Sequence, residues 1–382
     1  MQRSVLGTRI PAGMHDFLPG ELGMLEKLEG QLLERFLRWG YQKVLTPALE
    51  YAACVQPELD KDDELYKFFD RQGHILALRP EFTTPIARMV GARLRTLSLP
   101  LRLCYAGDVY RNSSAQYREF RQVGVELVGS ASALADAEVI ALAAEGMREL
   151  GVADCQLNLG HMGIFMGLMS ELGVPAEVQG ALEEKLARKD LVGIESLVRQ
   201  SDLSDQAKEI LLKLPYLHGG EEILDELVRF SKQAEIREAV NGLREVYGYL
   251  RDFGVQDMVA LDLGILRGFS YYTGVIFEGY VPGVGFPVLE GGRYDALYGD
   301  FGFPQPATGF AIHLGSLLGL FSLNGLETAG VLVYGADRSE VIRRAQALRS
   351  EGKHVEMAFE VLSPEVVERW LDEKHIVRVE KV

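Results

Sequence analysis

The sequence predicts an α+β fold: a core of strands flanked by helices, a helical insertion, and a small α/β domain at the C-terminus. Three observations carry this. Apolar runs of strand length alternate irregularly with helix-period segments over residues 1–174 and 254–325, without the strict βαβ order of a parallel sheet. Residues 175–253 hold successive amphipathic stretches rich in Glu, Lys, Leu and Arg. Residues 328–382 follow a compact βαβαβ order.

The elements follow in turn. Leu22, Leu25, Leu28, Leu32, Phe36 and Leu37 recur at helical spacing over residues 21–39, and Gly40 is the stop. Tyr41–Leu49 reads as extended, interrupted by Pro47. Ile75–Leu78 is a short strand ending at Arg79-Pro80, and Pro85–Leu94 a helix. Leu101–Tyr110 and Phe120–Val128 are strands joined by the polar loop Arg111–Tyr117. A helix runs from about Asp136 to Leu150, with Gly151 as terminator. Within the insertion, Ala181–Leu186 and Gln206–Leu212 are helical. Strand chemistry returns at Val259–Leu263 and Tyr271–Tyr280, the latter followed by the turn signal Pro282-Gly283. Gly291-Gly292, taken alone, reads as a tight turn. A long apolar helix is expected to start near Gly309. In the tail, strands are expected at Val331–Tyr334, His354–Phe359 and Ile376–Val379. Helices are expected at Ser339–Arg349 and after Ser363, with Pro364 at the first helical position.

With 382 residues the chain exceeds one simple core. Its 47% hydrophobic and 25% charged residues are those of a globular protein. No apolar run reaches the ~18 residues of a membrane span, and the N-terminus lacks the apolar stretch of a signal peptide. Cys54, Cys104 and Cys155 are too scattered for a disulfide framework or a metal motif, so a reducing cytoplasm is expected. Neither a dinucleotide fingerprint nor a phosphate-binding glycine loop is present, and no cofactor or metal is expected. A net charge of −15 argues against nucleic acid, tRNA included, as a main partner.

Four segments place charged or aromatic residues in apolar strand context: LRPEFTTPIAR with Glu81 and Thr83; YAGDVYRNSSAQYREFRQVGVELVG with Arg111, Gln122 and Glu126; ILRGFSYYTGVIFE with Arg267, Tyr271 and Tyr272; and LEGGRYDALYG followed by ATGFAIHLGSLLGLF. Period two puts Gln122, Gly124 and Glu126 on one strand face and sends Tyr271 and Tyr272 to opposite faces. Arg267, before a glycine, has the forked geometry that holds a carboxylate. An inward-facing Glu126 requires a partner, either a structural arginine or an imidazole N–H. His161 and His313 stand apart from other ligand-type residues and read as structural.

Together the four segments resemble the histidyl-tRNA synthetase family across roughly the first 320 residues. PAGMHDFLP (Pro11–Pro19) is similar to its N-terminal signature. GYQKVLTPALE (Gly40–Glu50) is similar to class II motif 1, a dimer-interface element, and YREFRQVGVELVG to the second half of motif 2. LRGFSYYTGVIFE resembles the histidine-specific motif, and GGRYDAL with GFAIHLG resembles motif 3 and the segment before it. The resemblance implies a class II synthetase core. It assigns Glu81, with Thr83 and Gln122, to the α-amino group of histidine, Arg267 to the carboxylate, and Glu126 and Tyr271 to the imidazole nitrogens. Tyr272 lines that pocket and Arg111 belongs to the same set.

The departures bear on function. Asn112-Ser113 stand where motif 2 carries its acid, and Ala115-Gln116 stand where Gly-Arg is expected. His313-Leu314-Gly315-Ser316 replace the Gly-Leu-Glu-Arg of motif 3, and Ser270 replaces an aspartate. His313 would partly fill the family's adenine region. Adenylate formation needs fixed cations around the phosphates, and the motif 3 cation is missing. The ~55-residue tail is short for the family's anticodon-binding domain. A synthetase-like core lacking ATP motifs resembles the regulatory subunits of ATP phosphoribosyltransferase. That resemblance implies a non-catalytic homodimer within a hetero-octamer. Its partner would be the short-form catalytic subunit, which it activates and subjects to feedback inhibition by L-histidine. The competing expectation is a divergent synthetase or adenylate-forming paralogue.

Overall fold

The computed structural model describes residues 8–55, 65–112, 118–152, 154–231, 233–265, 271–322, 330–373 and 376–382. In chain order the elements begin with helix α1 (Pro19–Arg38), strands β1 (Gln42–Lys43) and β2 (Leu49–Tyr51), and the short helix α2 (Ala52–Val55). Strands β3 (Lys67–Phe69) and β4 (Ile75–Leu78) lead to helix α3 (Thr83–Met89). The long strands β5 (Leu101–Tyr110) and β6 (Glu119–Val128) precede helix α4 (Ala133–Glu149), strand β7 (Gln156–His161) and helix α5 (Met162–Glu171). Helices α6 (Ala176–Ala187), α7 (Leu191–Gln200) and α8 (Asp205–Lys213) follow, then strand β8 (His218–Gly219) and helices α9 (Glu222–Phe230) and α10 (Ala234–Asp252). The core closes with strands β9 (Val259–Asp262), β10 (Val275–Tyr280), β11 (Leu289–Arg293) and β12 (Ala307–His313), and the one-turn helix α11 (Leu314–Leu317). Last come strand β13 (Val331–Tyr334), helix α12 (Arg338–Ser350), strand β14 (Val355–Met357), helix α13 (Pro364–Glu373) and strand β15 (Arg378–Lys381).

Nine strands form one mixed sheet in the order β1-β5-β6-β12-β11-β10-β7-β9-β8. Only β1–β5 and β7–β9 pair in parallel; the other six pairings are antiparallel. This is the α+β arrangement that the sequence predicts. β2, β4 and β3 make a small antiparallel sheet.

Helix α1 buries Leu28, Leu32 and Phe36, and the Phe36 ring meets Phe310 of β12 edge-on at 5.6 Å. Fully burying such a side chain contributes ~1.5–3 kcal/mol. Ser132 caps α4 by accepting a hydrogen bond from Leu134 N, and Asp190 and Ser204 cap α7 and α8 in the same way. Gly40 and Gly151 adopt φ of +84° and +79°, the left-handed geometry that ends α1 and α4. Helix α10 packs on α4 and α5.

By internal contacts the chain divides into two compact units, Met1–Asp16 with Lys27–Leu317, and Phe17–Glu26 with Leu318–Val382. The second contains a parallel three-stranded sheet, β14-β13-β15, whose central strand buries Val331, Leu332 and Val333. Among the described residues no helix is long and apolar enough to cross a membrane.

Two expectations are corrected. The long apolar helix near Gly309 is instead strand β12, paired on both sides, followed by one helical turn. Its apolar run reflects burial of both faces, which periodicity alone does not separate from a buried helix. Gly291-Gly292 is not a turn but the middle of β11. A side chain at Gly292 would stand 2.8 Å from the Tyr272 ring and 2.6 Å from Val275 O, so glycine is required there by crowding.

Candidate functional site

The site is a concavity on the central strands, made by omitting side chains. On β6, Gln122, Gly124 and Glu126 share one face, as period two requires. Gly107, Tyr105 and Leu103 of β5 stand opposite them on one side, and His313, Ala311 and Gly309 of β12 on the other. On β11, Gly292 pairs with Gly309, and Glu290 with Ala311. A Cβ at Gly309 would overlap Glu126 Oε2, and one at Gly124 would overlap the Tyr105 hydroxyl. The glycines therefore leave room for the polar groups beside them.

The turn between β4 and α3 covers one side. Arg79 clamps it: Nε donates to Asp108 O at 2.8 Å and Nη1 to Thr46 O at 2.7 Å. Its guanidinium lies 4.0 Å from the Phe82 ring centroid, and Phe82 stacks on Tyr105 at 4.4 Å. That stack fixes Glu81 and Thr83 on either side of Phe82. The Glu81 carboxylate accepts from Thr84 N at 3.0 and 3.1 Å at the start of α3. Thr83 Oγ1 donates to Glu126 Oε1 at 2.9 Å.

The result is a partly open concavity of about 360 Å³, the solvent at its mouth included. Glu81, Thr83, Arg111, Gln122, Tyr271 and Tyr272 line it, with Tyr105, Glu290 and Tyr294. Arg111 Nε also donates to Pro80 O at 3.0 Å.

Glu126 is 1% exposed and Gln122 2%. Glu126 Oε2 and Gln122 Oε1 have no hydrogen-bond partner among the described residues. Burial raises the Glu126 pKa well above the carboxylate range; the Thr83 hydroxyl opposes this and the Glu81 charge adds to it. Burial also raises Glu81, against hydrogen bonds from Thr84. It pushes the Tyr105, Tyr271 and Tyr298 phenols well above 10, so they remain donors. His161, at the end of β7, is half-buried, and desolvation of its ring pushes its pKa down to about 4.

Seven of the eight residues singled out in the sequence converge here, six in the lining and Glu126 bonded to Thr83. Arg267 lies outside the described residues. One geometric expectation fails. Tyr271 and Tyr272 precede β10, so strand alternation does not apply, and both line the same pocket with rings 4.8 Å apart. Sequence reasoning missed Tyr105, Glu290 and Tyr294. Glu290 had a signal, a charged residue directly before Gly291-Gly292, but the turn reading of those glycines hid it.

Comparison with known proteins decides the family. A family model described as histidyl-tRNA synthetase matches residues 13–317. The chain is 60% identical over 365 residues to an ATP phosphoribosyltransferase regulatory subunit of Desulfitobacterium hafniense (strain Y51), covering 96% of this chain and 95% of that one. It belongs to the ATP phosphoribosyltransferase regulatory subunit family. The Moorella thermoacetica member is 43% identical, with 92% of each chain covered. A solved structure described as an ATP phosphoribosyltransferase regulatory subunit/histidyl-tRNA synthetase from Bacillus halodurans C superposes with a TM-score of 0.88. It is 32% identical and covers 98% of both chains. Histidyl-tRNA synthetase from Nostoc sp. PCC 7120 shares the fold, with a TM-score of 0.81 over 97% of this chain and 90% of that one, at 22% identity. The chain is thus a regulatory-subunit family member built on a histidyl-tRNA synthetase-like core.

Proposed function

We propose that the chain binds L-histidine in this pocket and, joined to a short-form ATP phosphoribosyltransferase catalytic subunit, activates it and confers feedback inhibition at the first step of histidine biosynthesis. It catalyses no reaction itself. The observation that carries the ligand is Glu126: a buried carboxylate with one oxygen unpartnered beside the Thr83 hydroxyl and the Tyr271 phenol. An imidazole supplies what that corner lacks, one N–H for Glu126 Oε2 and one acceptor nitrogen for Tyr271. Glu81 and Gln122 Oε1 would meet the ammonium and Arg111 the carboxylate, the group to which the family resemblance also assigns Arg267. A buried donor–acceptor pair of this kind rejects ligands that leave it unpaired.

The missing motif 3 arginine supports a non-catalytic reading: residues 307–321 contain no lysine or arginine. Regulation then follows linkage, histidine favouring one state of the assembly over another. Homodimers within a hetero-octamer, in the cytoplasm, complete the proposal.

Isothermal titration with L-histidine, then with ATP, tests it. The intact chain should bind histidine, and Glu126→Ala should weaken binding by more than ~tenfold, as expected for a lost buried hydrogen bond. Reconstitution with the catalytic subunit should give a histidine-inhibited phosphoribosyltransferase. ATP binding with pyrophosphate exchange would reinstate a synthetase.

A further inference from the structure

The floor of the pocket holds more hydrogen-bonding groups than an imidazole can use. Three oxygens there have no hydrogen-bond partner among the described residues: Glu126 Oε2 and the hydroxyls of Tyr294 and Tyr298. Glu126 is 1% exposed, Tyr294 2% and Tyr298 0%, so bulk solvent at the mouth does not satisfy them.

The backbone brings the three together. Tyr294 follows β11, held by its N–H, which donates to Ala307 O at 2.8 Å. A Cβ at Gly309 would lie 2.1 Å from Glu126 Oε2 and 2.9 Å from the Tyr294 hydroxyl. The two oxygens therefore flank one spot over that glycine, within the reach of two hydrogen bonds end to end. Gly309 and Tyr294 also line the pocket, so the spot opens from it. Tyr298 follows in the helical turn Leu297–Phe301, and its ring lies 14° from parallel to that of Tyr294, with centroids 6.4 Å apart. Both rings pack in one apolar cluster with Leu103, Tyr105 and Tyr271. Burial holds the Tyr298 phenol protonated, and the charges of Glu126 and Glu81 add to this.

Donors and acceptors select the occupant. A neutral imidazole gives one N–H to Glu126 and accepts one hydrogen bond, from Tyr271 in the reading above, so it has no lone pair left for two more phenols. A cation would leave both phenol protons unused, and an anion would oppose Glu126 and Glu81. Water matches: its lone pairs accept from the two phenols and one of its protons goes to Glu126 Oε2. Three partners are typical of a buried water. Oε2 has two lone pairs, so it accepts the water and a ligand N–H together.

We propose that one buried water, held by Tyr294, Tyr298 and Glu126 Oε2, forms the floor of the pocket, and that through it the two tyrosines are positioning residues for the carboxylate that meets the ligand. The positioning role rests on the histidine reading above; the water does not. The chain from phenol to water to carboxylate orients Oε2 and favours its charged form.

A high-resolution crystal structure of the full chain tests the water, and density is expected within hydrogen-bond distance of all three oxygens. Titration with L-histidine from mildly acidic to alkaline pH, beside Tyr294→Phe and Tyr298→Phe, tests the positioning. Each variant should bind ~two- to tenfold more weakly, the scale of one hydrogen bond. Without a phenol the carboxylate keeps its proton to higher pH, so the loss should be largest in mild acid and shrink as pH rises. Protonation of the ligand is common to all three proteins and cancels in their ratio. The other groups facing Glu126 are common as well: Glu81 before α3, Thr83 at its start, Tyr105 of β5 and Tyr271 before β10. A merely structural role predicts the same loss at every pH. A structure in which the three oxygens share no water overturns the proposal and leaves histidine binding standing. No loss in Tyr298→Phe, or one independent of pH, overturns the positioning role. Failure of the intact chain to bind histidine overturns that role together with the histidine reading, while the density reports on the water separately.

Discussion

At Glu126 the protein sustains a cost that the proposed ligand would relieve. Burial raises its folded-state pKa well above the ordinary 4.5. From pH 4.5 upward the unfolded chain releases this proton before the folded one does, so the group's contribution to stability falls as pH rises through that window. Below 4.5 both states hold the proton and the contribution is constant. Glu126→Gln removes the titration. It should therefore stabilise the ligand-free protein at pH 8 by ~1–3 kcal/mol, the scale of an uncompensated buried polar group. The gain should vanish as pH approaches 4.5. Thermal melts across pH read this directly; a gain independent of pH would show that charge is not its source. The same variant should lose histidine binding, so the residue that lowers apo stability is the one that recognises.

At the scale of elements, one buried ion pair fixes β11 against the start of α4. Arg293 Nε donates to both oxygens of Asp136, at 3.1 and 3.0 Å, and Nη1 donates to Ser130 O and Asp295 Oδ1, each at 3.0 Å. Both side chains of the pair are under a tenth exposed. Asp136→Ala leaves the guanidinium only the partly exposed Asp295 as an ionic partner and should cost ~3–5 kcal/mol in urea denaturation. The double replacement Asp136→Leu with Arg293→Met should cost less than the single one, because the charge it leaves, on Asp295, reaches solvent. This pair was invisible in the sequence: 157 residues separate its members. Legibility followed range. Strands β5 and β6, helices α1 and α4, and their glycine stops could be read because each depends on local period and turn chemistry. β12 could not, because a strand buried on both faces carries no alternation. The site was legible through motif resemblance. Its remaining residues, Tyr105, Glu290 and Tyr294, are brought in by strand pairing that no local pattern encodes.

For the molecule as a whole, the described pocket residues all belong to the unit that holds the nine-stranded sheet. L-histidine at a hundred times its dissociation constant should stabilise the chain by ~2.7 kcal/mol. Hydrogen exchange should locate that protection in β5, β6, β11 and β12, with β13, β14 and β15 unchanged. Protection concentrated in residues 330–382 would put the ligand elsewhere.

The glycines at 107, 124, 292 and 309 give this pocket an asymmetric future under mutation. Each is already the smallest residue there is, so every substitution at these positions adds atoms into space that neighbouring groups occupy. Point mutation can fill this wall but never deepen it. A lineage drifting towards bulkier ligands must instead trim the aromatic side, at Phe82, Tyr105, Tyr271 or Tyr272, and would give up stacking and phenol donors as it did so. Narrowness of recognition is thus built in as the absence of anything left to remove.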